Sequence, residues 1–155
     1  MGRKIAVIGG GPSGMMAAIQ AAKQNPENRV ILLEKNDTPG KKLLLTGNGK
    51  CNYSNTNMDS SHYNENAKEI TKQVLKEFTP EDLRLFFAEN GMLSSNKSGL
   101  LYPYSGQART VLNTLMLLLI VGTNNGTVET NSKTGTVETN NGTVVENQAG
   151  TVVEN

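Results

Sequence analysis

Residues 4–14 read Lys4-Ile5-Ala6-Val7-Ile8-Gly9-Gly10-Gly11-Pro12-Ser13-Gly14, and Met15-Met16-Ala17-Ala18-Ile19 follows directly. An apolar run, G-x-G-x-x-G at Gly9, Gly11 and Gly14, and a helix-forming apolar stretch predict a strand, a glycine turn and a helix. A second apolar run, Val30-Ile31-Leu32-Leu33, ends on Glu34, twenty residues beyond Gly14. That is the spacing of a dinucleotide-binding βαβ start. Each part has a physical task. Gly9 permits the tight turn out of the strand, Gly11 leaves room where a pyrophosphate approaches the backbone, and Gly14 lets the helix sit close on the sheet. Pro12 and Ser13 open the helix, whose first N–H groups and partial positive charge suit phosphate. Glu34 is expected to accept hydrogen bonds from both hydroxyls of an adenosine ribose. The competing reading is a glycine-rich strand-to-helix turn that holds no ligand.

Composition bounds the rest. A chain of 155 residues has material for one core. The formal net charge of +1 gives no footing for a nucleic-acid or acidic-membrane role. Cys51 is the single cysteine, so no disulfide framework forms within the chain, which fits a reducing compartment. The first apolar stretch is short and broken by glycine, unlike a signal-peptide core, and Leu115 to Val121 is too short to span a bilayer. The expectation is a cytoplasmic protein with no membrane partner. His62, the only histidine, lies in a polar stretch without metal-ligand spacing, and no metal cluster or catalytic triad is legible. No catalytic residue is assigned.

The chain changes character at Gly122. Residues 1–121 hold all the Phe and Tyr; from Gly122 onward there is no Leu, Ile, Met or aromatic residue. Within the first part, the pattern predicts a helix from about Ser13 to Lys23 and a polar surface loop over 53–66. Ala67 to Phe78 reads as an amphipathic helix with Ile70, Val74 and Phe78 on one face. Thr79 and Pro80 start another helix, which ends at Asn90-Gly91. The last helix of this part is expected from about Gly106 to Leu118. Residues 122–155 repeat Gly-Thr-Val four times, at 126, 135, 142 and 150. Thr and Val favour strands and Asn-Gly favours a hairpin, while so few apolar residues offer little to offset ordering entropy. The tail therefore reads either as a small β-meander or as a disordered low-complexity segment.

Up to about Leu117 the chain resembles the bacterial flavoproteins called BaiN-like or aminoacetone-oxidase-like, which carry two dinucleotide-binding domains. Three segments carry the likeness: Lys4 to Gly14 with Glu34-Lys35; Gly40-Lys41-Lys42-Leu43-Leu44-Leu45-Thr46-Gly47-Asn48-Gly49-Lys50-Cys51-Asn52; and Gly99 to Ala108. The second is the most specific, and Lys50 stands where the family has arginine. In the third, Leu100 replaces an arginine. Glu34 alone would serve NAD or FAD equally. The resemblance implies FAD, with NAD(P)H as a reductant, and extends the cofactor contacts to Lys35, Lys42, Thr46, Cys51 and Asn52. Lys42 would offer charge to phosphate or reduced flavin, and Thr46 and Asn52 would donate near the flavin or ribityl chain. A lone thiol cannot run a dithiol cycle, so Cys51 is expected as a small buried residue near the cofactor.

The resulting expectation is an α/β protein. Residues 1–121 form an incomplete Rossmann-like FAD-binding domain, and 122–155 form the tail. Members of the resembled family are more than twice this length, so the chain is expected to be a truncated or artificially completed version of the family's N-terminal segment. Two functions follow: an FAD-dependent oxidoreductase acting on a small organic substrate, or a module that binds the ADP moiety without turnover. Self-association through the apolar 115–121 run or through tail strands is a third expectation.

Overall fold

A computed structural model describes residues 1–122, 137–140 and 143–146. The chain divides into two compact units, Met1–Leu43 with Leu115–Asn155, and Leu44–Thr114.

The first unit begins with strand β1, Lys4–Ile8, helix α1, Pro12–Gln24, and strand β2, Arg29–Leu33. β1 and β2 pair in parallel from Lys4↔Arg29 to Ile8↔Leu33. Because parallel strands need a crossover, the intervening helix is obligatory. α1 buries Met15, Ala18, Ile19 and Ala22, the i, i+3, i+4, i+7 face that the sequence periodicity predicts. Val30 and Leu32 of β2 are fully buried as well. Each large side chain so removed from water contributes about 1.5–3 kcal/mol. Buried Asn28 fastens the far end of this motif. Its Nδ2 donates to the Ala21 carbonyl at 2.8 Å, and its Oδ1 accepts from the Arg3 N–H at 2.9 Å. Asn28 thus ties helix end, β1 start and β2 entry together.

The other edge of β1 meets no strand among the described residues, and Ile8 is 86% exposed. A short helix α2, Lys41–Leu45, follows the loop after β2. Helix α5, Ala108–Gly122, brings Leu115 and Leu119 into the core, while Leu117 and Val121 stay exposed. The apolar run is thus half covered. In the tail, strands β6, Val137–Asn140, and β7, Thr143–Glu146, pair antiparallel from Val137↔Glu146 to Asn140↔Thr143. Of the tail, expected either as a small β-meander or as a disordered segment, one antiparallel strand pair lies among the described residues. The other tail repeats lie outside the described residues.

In the second unit a three-stranded antiparallel sheet has the order β3-β5-β4, where β3 is Ser54–Asn55, β4 Ser94–Lys97 and β5 Leu100–Pro103. Ser98 (φ 53°) and Gly99 (φ 91°) make the two-residue turn between β4 and β5, and two successive positive φ values match the right-handed strand twist. The predicted 53–66 loop therefore contains β3, a 3-10 turn at Ser60–His62 and the start of helix α3, Glu65–Glu77. His62 sits on the surface, 3.7 Å from Asp59. Helix α4, Pro80–Glu89, has a full capping box between Thr79 and Asp82, and it ends at Asn90 before left-handed Gly91. Phe87 of α4 is buried edge-on against Tyr53 and Phe86, at centroid distances of 5.2 and 5.4 Å. α3 forms as predicted but buries no residue. Among the described residues, no helix is long and apolar enough to cross a membrane.

Candidate dinucleotide site

The site is built from the loop that leaves β1 and the loop that leaves β2. Parallel pairing brings both to one end of the strand pair, where the Gly9 N–H donates to the Leu33 carbonyl at 2.7 Å. Three glycines of the turn have three different reasons to lack a side chain. Gly9 adopts φ +101°, a left-handed conformation that favours glycine. At Gly14 a Cβ would lie 1.9 Å from the Gly9 carbonyl oxygen, so the helix can approach the turn only without one. Gly11 has an ordinary extended backbone (φ −76°, ψ 175°) and open space where its Cβ would be. Neither strain nor packing requires glycine there. The space beside it is a cradle that any side chain would fill, which is what a pyrophosphate needs. Gly11 is also the N-cap of α1 and Pro12 its first residue, so the first-turn N–H groups of Ser13 and Gly14 have no intrahelical carbonyl to bond.

Gly10, which the motif leaves unspecified, is buried and held from both sides. Its N–H donates to Glu34 Oε2 at 2.7 Å, and its carbonyl accepts from the Gly40 N–H at 2.8 Å. A Cβ on Gly10 would come within 2.8 Å of Pro39 Cβ. The other oxygen of Glu34, Oε1, accepts from the backbone N–H of Asn36 at 2.8 Å and from its Nδ2 at 2.6 Å. The Asn36 backbone N–H is the main reason the Glu34 carboxyl is held below the ordinary glutamate range. Burial opposes it, and the Gly10 N–H, the Asn36 amide and the Lys35 N–H reinforce it. Glu34 is therefore ionised at neutral pH. A carboxylate has about four acceptor positions, so three protein donors leave room for about one ligand hydroxyl.

These residues line a groove of about 350 Å³ that includes Gly9, Gly10, Gly11, Glu34, Lys35 and Lys42. Its size is in the range of small-molecule sites. Of its lysines, Lys41 pairs with Asp37, whereas Lys42 forms no ion pair among the described residues. Gly10, Asn36, Gly40 and Lys41 are participants that motif reading passes over. The available signal was an asparagine two residues after the acid, a spacing that favours local side-chain bonds.

Thr46, Cys51 and Asn52 lie in the second unit. The loop that carries them is strongly turned: Gly47, Asn48, Gly49 and Cys51 all have positive φ. The Thr46 carbonyl accepts from the Gly49 and Cys51 N–H groups at 3.1 and 3.0 Å. Cys51 is buried, and burial pushes its thiol up while a Thr46 side-chain bond partly offsets this. Asn52 gives both amide protons to the Ser54 and Leu101 carbonyls, at 3.0 and 3.1 Å, so only its oxygen remains for a ligand.

A parallel strand pair with a glycine turn at a helix N-terminus, an open cradle and an ionised acid at the next strand end defines a dinucleotide-binding protein of the Rossmann type. Residues 3–154 match the family described as HI0933-like protein Rossmann domain, and the chain belongs to that family. It is 42% identical to the 3-dehydro-bile acid delta(4,6)-reductase of Clostridium scindens over 116 residues, 75% of this chain and 28% of that protein. It is also 32% identical to the ribosomal RNA dihydrouridine synthase of Escherichia coli over 76 residues, 49% of this chain and 18% of that one. The chain thus spans less than a third of the length of these relatives. A solved structure of Thermovibrio ammonificans THI4 aligns with 91% of this chain and 43% of its own, at 18% identity and a TM-score of 0.46.

Proposed function

We propose that the chain binds FAD noncovalently and serves as the dinucleotide-binding part of a flavin-dependent reductase of small organic molecules. The observation that carries this reading is the Gly11 cradle beside the Gly10–Glu34 bond. The turn from Gly9 to Gly14 holds the pyrophosphate, with the Ser13 and Gly14 N–H groups donating and the α1 dipole adding positive potential. Glu34 takes a ribose hydroxyl through a charge-assisted hydrogen bond. Lys42 and Lys35 balance the phosphate charge at the groove wall. When bound, FAD supplies hydride exchange between a reductant such as NAD(P)H and the substrate. The relative at 42% identity is named for a reduction of a bile acid, which supports a small-molecule substrate over RNA. Thr46 and Asn52 are proposed near the flavin end through the family likeness, Asn52 by its free oxygen. Cys51 is a packing residue there.

The test is the visible spectrum of the purified protein, followed by FAD titration. Copurifying flavin, or saturable FAD binding with a shifted spectrum, is the expected result. No flavin and no saturable binding would remove the cofactor assignment.

A second reading is a module that holds the ADP moiety without turnover. It is favoured by the groove itself, whose lining among the described residues comes from residues 8–11, 33–36 and 40–43 of the first unit. Similar affinities for ADP, NAD and FAD, without redox activity, would select it.

A further inference from the structure

The two oxygens of Glu34 are not equivalent. Oε1 holds two donors, both from Asn36, at 2.8 and 2.6 Å, whereas Oε2 holds the Gly10 N–H at 2.7 Å. An ionised carboxylate only accepts, so the Asn36 amide must present its nitrogen to Glu34. Asn36 and Glu34 both line the groove, and Glu34 is its only acid among the described residues. Fixing one oxygen by a side chain and a backbone group sets the plane of the carboxylate, because its terminal torsion is otherwise broad.

We infer that Asn36 is a positioning residue for the adenosine ribose: it occupies Glu34 Oε1, so that Oε2 is left to grip a single hydroxyl. This rests on the dinucleotide reading above. A free glutamate at this place would engage both hydroxyls at once; here one hydroxyl carries the interaction and the other faces solvent or phosphate-side groups. Among the described residues, the other charges near Glu34 are Lys35, the Asp37–Lys41 pair and Lys42, and the first turn of α1 contributes no acid. Asn36 is thus the neutral group closest to the carboxylate that controls it directly.

The experiment uses the full chain as parent and as Asn36→Ala, Asn36→Asp and Asn36→Ser. Two readouts are taken: the Glu34 carboxyl titration by NMR, and calorimetric binding of ADP, 2′-deoxy-ADP and 3′-deoxy-ADP. In the parent, one deoxy analogue should bind within about twofold of ADP and the other about tenfold more weakly, the loss of one charge-assisted bond. In Asn36→Ala the side-chain donor on Oε1 is lost while the backbone N–H of residue 36 stays, which frees one acceptor position on Oε1, so the gap between the two analogues should narrow and Glu34 should titrate at higher pH. Asn36→Asp sets a second carboxylate beside Glu34 and should move its titration further up. Asn36→Ser, whose hydroxyl can donate, should return both readouts toward the parent. ADP binding in which the parent discriminates neither analogue, or in which Asn36→Ala moves neither readout, overturns this inference alone. A parent that does not bind ADP overturns the dinucleotide reading and this inference with it.

Discussion

Gly10 and Glu34 are 24 residues apart in sequence and meet at 2.7 Å, backbone N–H to carboxylate Oε2. That bond makes the glycine turn and the end of β2 one rigid corner. The Gly40 N–H closes the same corner from the far side by donating to the Gly10 carbonyl. An acid at the end of the second strand therefore has a structural duty beside the ligand-binding one proposed for it.

The first prediction concerns Glu34→Gln. The new side chain has one accepting oxygen and one donating nitrogen, so whichever way it turns, its NH₂ meets either the Gly10 or the Asn36 N–H. Leaving one such donor unmatched costs about 1–3 kcal/mol. Adenine dinucleotides should bind several-fold to tens-fold more weakly. Thermal unfolding followed by circular dichroism should show a lowered midpoint with the helix content kept. An unchanged midpoint would mean that the corner does not hold the turn.

Gly11 and Gly14 should separate binding from folding. Gly11→Val places its side chain in open space on an extended backbone and should cost at most about 1 kcal/mol, since β-branched residues make poor N-caps. It should nevertheless abolish measurable ADP binding. Gly14→Ala drives a methyl to within 1.9 Å of the Gly9 carbonyl and should destabilise the fold itself. Equal melting temperatures for both variants would contradict this division.

Acid should loosen the corner late. Glu34 has a folded pKa below its unfolded value, so its contribution to stability is full above the unfolded pKa and disappears as pH falls through the folded one. Parent and Glu34→Gln should therefore differ in stability at pH 7, and the difference should close only below the ordinary glutamate range. Urea melts across that range give the curve. A gap that is constant with pH would rule out the ionised carboxylate as its source.

Cys51 should be slow to react with an aromatic disulfide reagent in the folded protein and fast in denaturant. Only the thiolate attacks, and burial both raises the thiol pKa and blocks access. Rapid native-state labelling would show that the 46–52 loop opens readily.

Exposed apolar residues are expected to set any association behaviour. Ile8 is 86% and Leu117 57% exposed, so Ile8→Thr and Leu117→Gln remove little buried area and should shift stability by no more than about 0.5 kcal/mol. Each should lower self-association in sedimentation velocity runs at high concentration. Parent and variants that sediment alike would show that these side chains do not drive association.

The sequence by itself determined the β1–α1–β2 start, because hydrophobic period, glycine spacing and the terminal acid are all local signals. It also determined α4, whose Thr79-Pro80 start and Asn90-Gly91 end are written in adjacent residues. It did not show β4: Ser94-Ser95-Asn96-Lys97 has no apolar alternation, and it becomes a strand because β5 pairs with it across the Ser98-Gly99 turn. Nor did it show that the apolar stripe of α3 stays exposed, with Ile70 at 63%, since a stripe states a preference for burial and not the presence of a partner surface. The site divides in the same way. Glu34 was legible as the acid, but its expected grip on two ribose hydroxyls left out the Gly10 and Asn36 donors. Where a carboxylate spends its lone pairs depends on which N–H groups lie within about 3 Å. Only the pairing of β1 with β2, Ile8 beside Leu33, brings Gly10 that close.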